Sequence, residues 1–328
     1  MTAVIRSAGD SHPGRRRRQN EDAYVCAPPL FAVADGMGGA QAGELASSLA
    51  AAAVRDDADS GHSGEQRVVD VIQEANRRVY QRSSEDATVS GMGTTMTIAL
   101  IEDDRVAFGH VGDSRAYLIR DGKLEQLTED HSLVAELVRS GKLSPEEAET
   151  HPQRSVITRA LGTDPDVDVD TFSIQTKPGD LFMLCSDGLT SMVDDETILG
   201  EIERNRGDLP AATKALIRAA NRGGGEDNIT VVFFEIGDGE PLEETAQMPA
   251  AAEPEPDSVD EETLDELDGV PAVSTMVLSP EERAKLTARE EEAVEAEAPP
   301  RRRRRVLRAL VLLVLLLVVA VLVLWALR

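Results

Sequence analysis

Four aspartates stand where apolar runs end or begin: Asp35 after residues 30–34, Asp113 after residues 106–111, Asp187 after residues 181–185, and Asp227 just ahead of residues 229–232. Each lies beside glycine or a turn residue, in Asp35-Gly36-Met37-Gly38-Gly39, Gly112-Asp113-Ser114-Arg115, Ser186-Asp187-Gly188-Leu189 and Gly225-Glu226-Asp227-Asn228. Sharply turning backbone therefore holds each carboxylate at the end of a strand. Carboxylates that converge from buried strand ends repel one another unless positive charge lies between them. A pair of hard divalent cations is the simplest such charge. Magnesium and manganese take oxygen ligands and retain several waters, so a few carboxylates and a backbone carbonyl suffice. Alone, each tetrapeptide is weak, because Asp-Gly is a common turn. Asp121-Gly122, between residues 117–120 and 123–127, reads as an ordinary hairpin without chemistry.

Taken in order, the series is specific. Arg17-Arg18-Gln19-Asn20-Glu21-Asp22, the Asp35 turn, Gly91-Met92-Gly93-Thr94-Thr95, Gly112-Asp113-Ser114-Arg115-Ala116, the Asp187 turn and Glu226-Asp227-Asn228-Ile229-Thr230 follow one another along residues 4–237. The series resembles the metal-dependent serine/threonine protein phosphatases of type 2C, in their bacterial form. That resemblance implies an α+β fold, an α-β-β-α sandwich of two antiparallel sheets flanked by helices. It also implies two divalent cations, manganese or magnesium. In that scheme Asp35 bridges both ions, Gly36 lends its carbonyl to one, Asp187 and Asp227 complete the other, and Glu21 reaches its ion through water. Asp113 would belong to a third, weaker cation site, and Asp22 and Asn228 would support the ligands from behind. The phosphate-binding arginine is expected three residues before Asn20, which selects Arg17, with Arg18 as its rival; a solvated basic loop is the plainer reading of Arg15 to Arg18.

The implied reaction hydrolyses phosphoserine and phosphothreonine without a phosphoenzyme. Two cations about 3.5–4 Å apart lower the pKa of a bridging water, and the hydroxide attacks phosphorus in line. One departure concerns the leaving group. Many eukaryotic relatives have histidine after the Asp-Gly of the second motif, whereas this chain has Met37, whose thioether cannot donate a proton. Of the five histidines, His110 and His131 flank the motifs and read better as buried, hydrogen-bonded side chains than as catalytic ones. His12, His62 and His151 read as surface residues. A catalytically silent phosphoprotein-binding scaffold and a hydrolase of small phosphate esters stay open as alternatives.

The elements that must position these residues follow from periodicity. Strands are expected at 23–26 and 30–34, helices at 42–54 and 66–82 (Val68, Val69, Ile72, Ala75, Val79), and strands at 94–101, 105–110 and 116–120. Residues 131–162 read as an inserted helical unit with short helices at 132–139 and 144–149. In the resembled family this place holds a mobile flap over the catalytic groove. Strands at 167–175, 181–185 and 229–236 and helices at 195–204 and 209–221 complete one domain, residues 1–237.

The remainder differs in composition. Net charge is −26 over 328 residues, and much of the excess lies in residues 238–300, rich in Glu, Asp, Ala and Pro, which read as a disordered, self-repelling linker. Residues 273–278 (VSTMVL) form a small apolar island within it, and Ser274, Thr275 and Thr287 are candidate phosphorylation sites. Two cysteines, Cys26 and Cys185, without a CxxC pattern, suit core packing in a reducing compartment better than disulfide or zinc. Residues 301–308 are basic, and residues 309–327 are an unbroken apolar run. At about 1.5 Å per residue, about nineteen residues cross a hydrocarbon layer of about 30 Å. A C-terminal transmembrane helix is therefore expected, with the arginines and the catalytic domain on the cytoplasmic side of the cell membrane. Residues 1–7 lack the apolar core of a signal peptide. The expected partners are phosphorylated proteins, among them membrane serine/threonine kinases and their substrates, together with the lipid bilayer; nucleic acid is not among them.

Overall fold

Apolar runs that can be buried on both faces become the central strands of two sheets. The computed structural model describes residues 3–38, 42–57, 61–238 and the dipeptide Met276–Val277. One sheet runs β1 (Ala3–His12), β12 (Ile229–Gly237), β11 (Leu181–Cys185), β7 (Arg115–Arg120) and β8 (Lys123–Gln126). The other runs β10 (Asp170–Gln175), β6 (Arg105–Val111), β5 (Met96–Glu102), β3 (Leu30–Met37) and β2 (Asp22–Ala27), with β4 (Gly93–Thr94) on the end of β3. Every pairing within the two sheets is antiparallel.

Their inner faces meet in an aromatic layer. The ring of Phe234 stacks on Phe31 at 4.5 Å and on Phe182 at 5.0 Å, joining β12 and β11 of one sheet to β3 of the other. Helices α1 (Ala42–Arg55) and α2 (Gly64–Glu85) pack on β3, β5 and β6 through Ala50, Val54, Val68, Val71, Ile72 and Ala75. On the other sheet, α6 (Asp195–Arg204) and α7 (Leu209–Gly223) bury Ile198, Ile202, Leu209 and Leu216 against β11 and β12. The architecture is the expected pair of antiparallel sheets with flanking helices.

The differences from the sequence expectation have local causes. Strand β3 runs on through Asp35, Gly36 and Met37, because β4 pairs with its last two residues. The run expected as one strand at 94–101 breaks at Thr95, whose side chain turns to cap the Asp35 backbone N–H. In α2 the buried residue is Val71, and Val69 is only half-buried. The strand expected from 167 begins at Asp170. Ser132 and Ser144 lie outside the helices they open, as caps of α3 (Leu133–Arg139) and α4 (Pro145–Glu149). The hairpin at Asp121-Gly122 is as expected, with φ of 53° and 69° at its two central residues.

Among the described residues no helix is long and apolar enough to cross a membrane. The apolar run 309–327, the basic segment 301–308 and, apart from Asp238 and Met276–Val277, the acidic stretch 238–300 lie outside the described residues.

Candidate active site

Strand register sets the first pair of acids. Asp22 on β2 is the direct cross-strand partner of Asp35 on β3, an arrangement of like charges that destabilises a sheet unless something compensates. From the facing sheet, β11 ends at Cys185 and delivers Asp187 on the one-turn α5 (Asp187–Thr190), while Asp227 precedes β12. Asp113 sits in the β6–β7 connection, which crosses from one sheet to the other. Glu21, immediately before β2, is buried.

These carboxylates feel one another. Burial, and then the charges of Asp22, Asp187, Asp227 and Asp113, hold Asp35 well above the usual carboxylate range. Asp187 is pushed up to about 6 by burial and by Asp227. Asp22 is pushed up to about 7 by burial, against the hydroxyls of Thr230 (2.5 Å) and Ser186 (2.8 Å) that donate to its Oδ2. Burial also raises Glu21, and burial and Asp187 raise Asp113.

The oxygens left over point to what is needed there. Among the described residues, Glu21 Oε1, Asp22 Oδ1 and Asp187 Oδ1 are buried without a hydrogen-bond partner, each a substantial cost unless a cation or water meets it. No group of three or more His, Cys, Asp or Glu side chains among the described residues is arranged to hold a metal ion by itself. Hard cations that keep most of their waters need few protein ligands each. An all-oxygen donor set of this kind fits magnesium or manganese rather than zinc or copper.

The backbone beneath the acids is tightly tied. Asp35 donates its N–H to Thr95 Oγ1 (2.9 Å), and its carbonyl accepts from Thr95 N–H (2.9 Å) and Thr94 Oγ1 (2.8 Å). Glu21 donates its N–H to Asn228 Oδ1 at 2.8 Å, and its carbonyl accepts from Gly36 N–H and Ser47 Oγ. The Asn228 amide in turn donates to the carbonyls of Pro13 and Gln19, both at 3.0 Å. Gly36 admits no side chain, since a Cβ there would lie 2.1 Å from the Gly43 carbonyl oxygen on α1.

Arg17 approaches from the 13–18 loop, which is anchored by Arg15 and Arg16 N–H groups on the Gly225 carbonyl. Its Nη2 meets Asp227 Oδ2 at 2.7 Å, and the charges of Glu21 and Asp35 also act on it. Arg18 is exposed.

The chain matches the family model for protein phosphatase 2C over residues 8–207. It belongs to the protein phosphatase 2C family. The serine/threonine protein phosphatase PstP of Mycobacterium tuberculosis is 41% identical over 240 residues, covering 73% of this chain and 46% of PstP. The chain thus matches about half the length of that relative. The serine/threonine phosphatase stp of Listeria monocytogenes is 41% identical over 233 residues, 68% of this chain and 92% of the Listeria protein. A crystal structure of the PstP catalytic domain in complex with two manganese ions superposes with a TM-score of 0.66 at 37% identity, covering 73% of this chain and 100% of that one.

Within this phosphatase-family fold, several residues without a sequence-assigned role prove structural to the site. Thr95, Ser47, Ser186 and Thr230 fix the acids, as given above. Arg115 makes a two-pronged pair with Asp130, at 3.0 Å through Nε and 2.8 Å through Nη2, joining the first residue of β7 to the residue just ahead of the 131–162 segment. Thr95, Arg115, Ser186 and Thr230 stand inside the quoted motifs, whereas nothing in the sequence pointed to Ser47 or Asp130.

The histidines stay out of the acid cluster. His110 and His131 are buried with ring centroids 4.7 Å apart. His110 contacts Thr97 Oγ1 and the Glu129 carbonyl, and His131 Nδ1 accepts from Gly112 N–H. His12 and His62 are exposed, while His151 is half-buried. Burial, then the neighbouring His131, pushes His110 down to about 3, and burial lowers His131 as well. A histidine held below its unfolded value stabilises the fold fully above pH about 6.5 and progressively less as pH falls towards the folded value. In chelator, urea unfolding of wild-type protein is therefore expected to lose about 2 kcal/mol more than His110→Gln between pH 7 and pH 5. Parallel losses in the two proteins would contradict this.

Proposed function

We propose that this chain is a divalent-cation-dependent protein serine/threonine phosphatase held at the cytoplasmic face of the cell membrane. The observation that carries the reading is the convergence of Glu21, Asp35, Asp113, Asp187 and Asp227, from both sheets, around buried carboxylate oxygens that lack partners. The names of the PstP and stp relatives support the reaction class.

Glu21, Asp35, the Gly36 carbonyl, Asp187 and Asp227 would hold two ions, manganese or magnesium, and Asp113 would serve a third and weaker one. When bound, such ions supply positive charge for phosphoryl oxygens and make hydroxide available from water near neutral pH. Asp22 and Asn228 keep the ligand-bearing backbone in register, through Ser186 and Thr230 and through the Glu21 N–H. Arg17, aimed into the same space, grips the phosphoryl group with its planar fork. In the overall reaction the phosphorus–oxygen ester bond breaks, water oxygen joins phosphorus, and the serine or threonine alkoxide takes up a proton. Met37 cannot give that proton, so water or another side chain does.

Residues 131–162 act as the flap that shapes the groove. They pack on the metal turn through Ile157 and Ala160, which cluster with Met37. Phosphoproteins, including membrane kinases and their substrates, are the proposed partners, brought within reach by the apolar run 309–327 and its flanking arginines. Catalytic efficiency should be higher on phosphothreonine peptides than on small phosphate esters by about 10² or more. The reverse order would assign the site to metabolites. On cell fractionation the full chain is expected with membranes, and a chain lacking residues 301–328 in the soluble fraction; equal partition would remove the tether.

A further inference from the structure

A two-residue strand within the 131–162 segment has an edge that the phosphatase reading does not use. β9 (Val156–Ile157) is bridged on one side to Ser132, and the Thr158 N–H donates to the His131 carbonyl at 2.8 Å on that side. Backbone alternation turns the N–H and carbonyl of Ile157 to the opposite edge. There β13 (Met276–Val277) pairs in parallel with β9, Met276 beside Val156 and Val277 beside Ile157. One compact unit, residues 1–278, takes in both the sandwich and this strand.

We propose that the outer edge of β9, away from Ser132, is a strand-addition site for extended apolar peptide, and that its resident occupant is the chain's own segment around Met276–Val277. Three observations carry this. The pairing is formed across residues 239–275, a stretch long enough to reach many places. The segment paired is the apolar island VSTMVL in an otherwise acidic, polar stretch. β9 is itself short and weakly held, so an added strand supplies much of its main-chain pairing.

The consequence for the site runs through one side chain. Ile157, 1% exposed, clusters with Met37, two residues beyond Asp35. Pairing with β13 therefore braces the flap residue that rests on the metal turn, and restrains the motion that admits a bulky phosphoprotein. On the phosphatase reading, the segment lowers catalytic efficiency on peptides and leaves small substrates untouched. Ser274 and Thr275, immediately before the paired residues, place this contact within reach of phosphorylation.

The test uses the full chain and its Met276→Pro/Leu278→Pro variant, since proline is excluded from a paired strand and β13 is no part of the two sheets of the sandwich. Hydrogen–deuterium exchange across residues 153–159 is expected to speed up about fivefold to tenfold in the variant. Its kcat/KM on a phosphothreonine peptide is expected to rise by a similar factor, with kcat/KM on a small aryl phosphate unchanged. Equal exchange in the two proteins overturns the pairing. Faster exchange with unchanged peptide kinetics overturns the control of access. Protection that fades across about a hundredfold dilution overturns the assignment to the chain's own segment in favour of a second copy. If neither protein hydrolyses the peptide, the phosphatase reading fails, while exchange still decides the strand addition.

Discussion

In chelator at pH 7, Asp35→Asn is expected to unfold at a higher temperature than the wild type while losing hydrolysis by about 10³-fold or more in manganese. The first half follows from electrostatics. A carboxyl whose folded pKa is raised destabilises the fold at pH above its unfolded value, and that cost disappears as pH falls. Asp35 is raised by burial and by four acidic neighbours. Removing its charge while keeping its shape should stabilise the metal-free fold by about 1–3 kcal/mol, a rise of several degrees. The second half follows from placement, since Asp35 is the acid that feels Asp22, Asp113, Asp187 and Asp227 together. Manganese should raise the wild-type melting temperature by mass action and the variant's far less. A variant less stable than the wild type in chelator would mean that Asp35 supports the fold rather than the ions.

Arg17→Lys is expected to lower kcat/KM on a phosphopeptide by about 10²-fold, and Arg18→Lys by less than about twofold. Lysine keeps the charge and loses the planar fork that matches phosphoryl oxygens. Arg17 is half-buried, with Nη2 on Asp227 at 2.7 Å, whereas Arg18 is exposed. A cation that neutralises Asp227 would loosen that pair and leave the Arg17 fork to the substrate. Equal losses in the two variants would return the whole 15–18 run to a general basic loop.

The candidate acids were legible because each interrupts or abuts an apolar run at a turn, a pattern that survives in one dimension. The expectation of Arg17 over Arg18 came only from the spacing to Asn20 in the resembled family, and the return of the 13–18 loop to Gly225 and Asp227 was not legible. The opposition of Asp22 and Asp35 was hidden too, since it depends on the register of β2 against β3. Thr95 read as part of an uninterrupted strand, and its role appears only where the ladder breaks. Strand β1 was missed for a different reason. Of its ten residues only Val4 is buried, so a sheet-edge strand bonded along its length to β12 carries almost no apolar alternation. The island at 273–278 was visible as apolar, but its partner β9 is two residues long and below any periodicity. Hydrophobic pattern thus reported what is buried, and pairing choices between distant segments lay beyond it.

The most direct measurement is hydrolysis of a phosphothreonine peptide by the full chain with manganese, with magnesium and with chelator. Turnover is expected in either metal, abolished by chelator and restored by re-added metal. Turnover that persists undiminished in chelator, or a folded protein that hydrolyses nothing in either metal, would contradict it.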